Sequence, residues 1–263
     1  MSQIGCGLEY RVYDHSAGRV LKVRRGIPDR ILASFLYSAR SGALGGWPRI
    51  ARKLLPLTNE VPGLVSRLAK KPAEIRKLLG HIELVRGNNY TQDLITPLRD
   101  YFAAHSFEEN VAVVERYIEM TKSLWSLGVG DPYYSLLWNA GVYADGSVTQ
   151  IDVSDLTTEA SAVNESVRQQ IWLLTAMPCI EDERFRVECI RLLNAGLTQT
   201  AFLEAWPQEM PGMAVSVNSY ANGDSKGASL GARTTWGWVS QWQEKLRGYQ
   251  AKFAPKAEQL NPE

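Results

Sequence analysis

Two periodicities divide this chain. Through Val23 apolar and polar positions alternate in short runs: Gly5-Cys-Gly7 to Val12-Tyr13, a turn at Asp14 to Gly18, then Val20-Leu21-Lys22-Val23. Alternation broken by glycine-bearing turns predicts a small antiparallel sheet. From Ile27 to Gly80 the spacing turns helical, with Ile31, Leu32, Phe35 and Leu36 on one face and Ile50, Leu54 and Leu57 on another. Gly45-Gly46, Pro56, Pro62 and Pro72 cut that stretch into several short helices. Residues His81–Val85 and Tyr90–Ile95, either side of an Arg86 to Asn89 turn, predict a second hairpin. Ser106 and Glu109 form a capping box that opens a long helix through Val111, Val114, Ile118, Leu124 and Trp125 to Gly128. A third hairpin runs from Asn139 to Asp152, with a two-residue turn expected at Asp145-Gly146. Helices are expected near 164–175, 182–195 and 198–206. The Gly-, Ser- and Asn-rich stretch 211–233 predicts a loop or mobile linker. Trp236, Trp238 and Trp242 then suggest a final docking helix, and a disordered tail is expected after Pro255.

Composition narrows the class. At 263 residues with 45% hydrophobic content and eight tryptophans, the chain suits one large domain or two lobes. No run of about 18 apolar residues predicts a membrane span, and the first residues lack the pattern of a secretory signal. Three scattered cysteines and three histidines offer neither a disulfide framework nor zinc spacing. A reduced, cytoplasmic protein is expected. The net charge of +1 conceals an asymmetry: residues 1–80 hold fifteen Lys/Arg against five Asp/Glu, the rest fourteen against twenty-three. Either the basic helices at 24–77 meet an anionic ligand or an anionic surface such as the inner membrane face, or they face the acidic remainder and solvent. No dedicated nucleic-acid motif accompanies them.

Chemistry concentrates at the third hairpin. It would bring Asn139 and Asp152 together as two oxygen ligands, a set that suits Mg²⁺ completed by substrate phosphates. At the other end of the chain, Gly5-x-Gly7 can approach phosphate oxygens with bare N–H groups, and Lys22 on a following strand can reach the same phosphates.

Taken in order, the glycine turn, strand lysine, helices, hairpin, long helix, asparagine and aspartate resemble the protein-kinase-like superfamily over about residues 4–175. That superfamily includes protein kinases and aminoglycoside-phosphotransferase-like small-molecule kinases. The resemblance implies an α+β, two-lobed fold: a nucleotide-binding lobe at 1–95 with inserted helices, and a helical lobe at 96–263. It also implies that Gly5 and Gly7 cover the phosphates of ATP, Val12 packs on adenine, and Lys22 holds the α and β phosphates. Leu94-Ile95-Thr96 would be the hinge, and Asn139 and Asp152 would bind Mg²⁺. The implied activity is phosphoryl transfer to a hydroxyl of a small molecule, envelope sugar or protein.

Departures from the pattern leave alternatives open. Tyr10 stands where the third loop glycine belongs, and Tyr134 stands five residues before Asn139, where the catalytic aspartate belongs. Asp131, eight before, is the working catalytic residue if the loop bulges; otherwise it caps a turn before Pro132 and the chain is a catalytically impaired nucleotide-binding or scaffolding module. Glu60, Glu74 or Asp152 is the candidate partner of Lys22.

Overall fold

The computed structural model describes residues 2–6, 10–16, 18–40 and 62–207, with backbone alone at 5–6 and 34–40. The chain is α+β, with about half of the described residues helical. Its first three strands, β1 (Gln3–Cys6), β2 (Tyr10–Asp14) and β3 (Arg19–Arg24), form a meander. Helices α1 (Ile27–Arg40), α2 (62–69) and α3 (Ala73–Lys77) follow, then β4 (Glu83–Val85) and β5 (Asn89–Asp93). The five strands make one antiparallel sheet in the order β1-β2-β3-β5-β4. Both hairpins expected in this stretch are present.

Register explains which face turns inward. Gly5, Val12, Lys22, Tyr90 and Leu84 are successive opposite partners across the sheet. Opposite residues of an antiparallel pair share a face. Tyr10, Val20, Lys22, Tyr90 and Gln92, all buried, lie on that face by the period-two alternation. On the other face Arg11 reaches Asp29 of α1 at 2.5 Å.

After Leu94 and Ile95 the chain enters a second, three-stranded sheet of β6 (Thr96–Pro97), β7 (Ala140–Val142) and β8 (Val148–Gln150). Helices α4 (Leu98–Ala104), α5 (Phe107–Ser126) and α6 (Leu136–Asn139) lie between β6 and β7. The capping box forms as expected: Ser106 Oγ accepts from Glu109 N, and Glu109 Oε2 accepts from Ser106 N at 2.9 Å. Gly141 carries a steric requirement, because a Cβ there would lie 2.8 Å from the Thr96 carbonyl oxygen and 2.7 Å from Ile95. Only a glycine lets β7 run this close to the connecting segment.

The β7–β8 turn differs from the two-residue form. Gly146 N donates to Tyr143 O at 2.9 Å and Tyr143 N to Ser147 O at 2.9 Å, so Ala144, Asp145 and Gly146 make a three-residue loop. Gly146 takes φ +80° while Asp145 stays out of the left-handed region. The Asp145 carboxylate is used locally, accepting from Ser147 N and Oγ at 2.9 and 2.5 Å, which favours this looser turn.

The helical layer closes with α7 (Ala160–Arg168), α8 (Trp172–Thr175), a 3-10 turn at Met177–Cys179, α9 (Glu183–Gly196) and α10 (Gln199–Ala205). The single helix expected over 164–175 is two, broken where Gln170 takes φ +51°. Buried Val113, Val114, Tyr117, Ile118 and Trp125 of α5 meet Phe185, Cys189 and Leu193 of α9 and Phe202 of α10 in one core. Trp125 sits edge-on to Phe202 at 5.3 Å. The linker, docking helix and tail expected beyond residue 207, like the apolar stripe at 50–57, lie outside the described residues.

Polar contacts join the two sheets. Gly80 N donates to Thr149 Oγ1 at 2.7 Å, and Gln150 N to Leu78 O at 2.9 Å. Gln92 Nε2 donates to Leu79 O at 2.7 Å and to Gln150 O at 3.1 Å. Buried amides of this kind persist only where their hydrogen bonds are made, so this seam fixes the hairpin against the corner after α3. Nearer the surface, Asp93 Oδ2 accepts from Tyr143 Oη at 2.9 Å and meets His81 Nδ1 at 2.6 Å.

Candidate functional site

The hairpin, the loop before α6 and strand β3 converge on one buried polar cluster. α6 is a single turn in which Leu136, Leu137 and Asn139 are buried while Trp138 is exposed. Asn139 therefore points inward at the moment the chain enters β7. Its amide nitrogen donates to Asp131 Oδ2 at 3.1 Å and to Asp155 Oδ2 at 2.8 Å. Its main-chain carbonyl accepts from Ile151 N at 2.6 Å and Asp152 N at 3.2 Å, tying the two ends of the hairpin together.

Asp131 uses its two oxygens differently. Oδ1 accepts from the backbone N–H groups of Tyr133 and Tyr134 at 2.8 and 3.2 Å, capping the turn at Pro132. Oδ2 faces Asn139 in the interior. The residue is only 6% exposed. Burial raises its pKa, opposed by hydrogen bonds from Asn139, Tyr133, Tyr134 and Gln150. A bridge between Gly130 and Thr157 holds this loop against the segment after Asp155.

Asp152 lies just past β8. Its Oδ1 accepts from Ser154 N at 3.0 Å and Ser154 Oγ at 2.6 Å, and its carbonyl accepts from Gln150 Nε2 at 3.0 Å. Lys22 arrives from the five-stranded sheet. It is buried, donates to the Ile151 carbonyl, and lies 5.5 Å from the Tyr90 ring centroid. Burial lowers its pKa, while the negative charges of Asp152 and Asp155 act in the opposite direction. Asp131, Asp152 and Asp155 thus gather around Asn139 and the Lys22 ammonium.

Sequence reasoning on Asn139, Asp152, Lys22 and Asp131 singled out residues that do come together. Thr96 pairs with Val142, and Leu94, exposed, donates its N–H to Gly18 O at 2.8 Å; both belong to the segment joining the two sheets. Val12 lies beside Lys22 on the inward face and Gly5 beside Val12, whereas Gly7 and Glu60 lie outside the described residues. Glu74 is not the partner of Lys22: it is exposed on α3, turned to solvent. Tyr134 is a core residue, buried edge-on to Trp172 at 5.4 Å with φ +46°. Tyr133, 48% exposed, is the aromatic at the cluster's outer edge.

Asp155, Tyr90 and Gln150 were missed as site residues. The Asp152-x-x-Asp155 spacing was a usable signal for the first. Tyr90 and Gln150 owe their places to sheet register and to the seam, which leave no local signature. Among the described residues no group of three or more His, Cys, Asp or Glu side chains is arranged to hold a metal ion by itself. Of the basic stretch, Arg67, Lys70 and Lys71 are exposed, while Arg76 and Lys77 lie 3.6 and 3.7 Å from Glu83 and Asp145. No helix among the described residues is long and apolar enough to cross a membrane. No family model, curated protein or solved structure matches this chain.

Proposed function

We propose that the chain is a two-lobed, protein-kinase-like phosphotransferase that moves the terminal phosphoryl group of ATP to a hydroxyl of a small molecule, envelope sugar or protein. The observation that carries this reading is the meeting of Asp131, Asn139 and Asp155 through one amide, with Asp152 and Lys22 alongside. Phosphoryl transfer depends mainly on positioning and charge stabilisation, and this cluster offers the groups for both. Asp131 takes the proton of the attacking hydroxyl while the oxygen forms its bond to the terminal phosphorus and ADP leaves. Lys22 holds the phosphates, Gly5 of β1 offers bare backbone beside Val12, and Val12 packs against the base.

The donor set fits Mg²⁺ as the companion of a phosphate ligand. Asn139 spends its N–H groups on carboxylates, which leaves its amide oxygen, together with Asp152, as hard oxygen donors. Mg²⁺ commonly takes one or two such ligands and completes its shell with phosphates and water. It would neutralise charge on the transferring group. The exposed Arg67, Lys70 and Lys71 would draw a phosphorylated acceptor or an anionic membrane surface.

The test is calorimetric titration with Mg-ATP, followed by turnover assays of wild type and Asp152→Asn. Binding, with turnover reduced at least about a hundredfold in the variant, is expected. Absence of Mg-ATP binding, or an unchanged Asp152→Asn, overturns the reading. One observation favours a second reading, nucleotide binding without transfer: the Lys22 ammonium already donates to the Ile151 carbonyl. Mg-ATP binding without turnover, indifferent to Asp131→Ala, selects it.

A further inference from the structure

Lys22 is a buried ammonium that no helix carboxylate reaches among the described residues: Glu74 faces solvent, and Asp29 is bound to Arg11 at 2.5 Å. The residue directly opposite Lys22 in the β3–β5 ladder is Tyr90, fully buried, with its ring centroid 5.5 Å from Nζ. That lies within the roughly 6 Å over which a ring face attracts a cation, and the attraction grows when both partners are desolvated. Tyr10, on the same face of β2, stands edge-on to Tyr90 at 5.0 Å and 72°, which fixes the ring plane. The Tyr90 hydroxyl is buried with no hydrogen-bond partner among the described residues, so hydrogen bonding does not account for an aromatic residue here.

We infer that Tyr90 is the positioning residue of Lys22, its ring face holding the ammonium from within the sheet. This inference rests on the phosphoryl-transfer reading for its purpose, though the pairing itself does not. Among the described residues the ring, the Ile151 carbonyl and the charges of Asp152 and Asp155 face the ammonium. Because Tyr90 belongs to the same rigid sheet as Lys22, the lysine is held in place without any helix having to move.

A double-mutant cycle tests the pair. Lys22→Met, Tyr90→Leu and the double variant are unfolded in urea without nucleotide, with Tyr90→Phe as the conservative control. The expected coupling is about fivefold or more in the unfolding equilibrium, and Tyr90→Phe matches or exceeds wild type because it removes an unpaired hydroxyl. Mg-ATP affinity should fall about tenfold in Tyr90→Leu and stay unchanged in Tyr90→Phe. Independent effects of the two sites in unfolding, or a Tyr90→Phe variant as weak as Tyr90→Leu, overturn the inference. Should Tyr90→Leu not fold, Tyr90→Met keeps the bulk without a ring and is read the same way. Coupling in unfolding without any Mg-ATP binding would sink the phosphoryl-transfer reading and leave the hold of Tyr90 on Lys22 standing.

Discussion

The two sides of the cluster are built on opposite plans. On the hairpin side, Asp131, Asn139, Asp152 and Ser154 are bound to one another or to nearby backbone through hydrogen bonds of 2.6 to 3.2 Å. On the sheet side a single ammonium is held by one carbonyl and one ring. The carboxylate side is thus organised by the chain itself, whereas the cationic side is sparsely bonded and has donor capacity to spare. An ammonium carries three donors, so Lys22 can donate to phosphate oxygens without dismantling the hairpin side.

Removing Asn139 should break that difference most severely. Asn139→Leu leaves the buried Asp131 and the half-buried Asp155 without the amide that bonds both. We expect a loss on the order of 3 kcal/mol in urea unfolding, since bonds to charged groups are worth about 1.5 to 3 kcal/mol each. Lys22→Met removes a desolvated ammonium, and the carboxylates that lose its charge, Asp152 and Asp155, are only half-buried, so the loss should be smaller, about 1 kcal/mol. Equal losses from the two variants would erase the distinction.

Gly141→Ala probes geometry without touching charge. The new methyl would meet the Thr96 carbonyl at 2.8 Å and Ile95 at 2.7 Å, pushing β7 from the connecting segment. Overpacking of this kind costs about 1 to 3 kcal/mol. Turnover should fall together with the melting temperature if the hairpin places Asn139 and Asp152 through this contact. A fully stable but inactive Gly141→Ala would point to another route.

Much of the hairpin side was legible in the sequence, and little of the sheet side. Asn139, Asp152 and the hairpin between them follow from local alternation and an Asp-Gly pair, because both ends of a hairpin are fixed by the chain between them. Even so, the loop needed one more residue than expected, since Asp145 bonds Ser147 and only Gly146 takes the left-handed conformation. Asp131 was visible as a carboxylate, but that one oxygen caps the following turn while the other meets Asn139 depends on the loop's conformation. Tyr90 could not be found by pattern: it meets Lys22 only because β5, 68 positions further on, pairs with β3 in one register. Glu74, one of the three candidate partners of Lys22, failed for the same reason, as helical spacing places it on α3 but says nothing of which way α3 faces. Tyr134 occupied the expected spacing for a catalytic residue and instead fills the core against Trp172.

Acidity offers a subtler probe of the hairpin side. Burial raises the Asp131 pKa against the pull of Asn139, Tyr133 and Tyr134. Between its unfolded and folded values the native state binds more protons than the unfolded state, so this residue's contribution to stability falls as pH rises through that window. If Asp131 is the base of the proposed transfer, deprotonation in the same window switches it on. The acid limb of the rate profile should therefore lie above the ordinary aspartate range, and Asp131→Asn should remove it. A limb at ordinary aspartate pH would assign the base elsewhere, with Asp155 the nearest candidate.

The smallest expected effect separates orientation from charge. Ser154 donates both its N–H and its hydroxyl to Asp152 Oδ1, at 3.0 and 2.6 Å, and Ser154→Ala deletes only the second. A hydrogen bond to a carboxylate that is partly solvated contributes about 1 kcal/mol, so Mg-ATP affinity should fall about fivefold with the unfolding midpoint nearly unmoved. Ser154→Thr keeps the hydroxyl and should restore most of the affinity. If instead Ser154→Ala lowers stability as much as Asn139→Leu, the hairpin side is a structural polar core in which Asp152 is fixed for folding. If affinity drops while stability holds, the hydroxyl aims one carboxylate oxygen so that the other remains turned toward the ion and the phosphates, and the density of bonds on this side is preorganisation for a ligand.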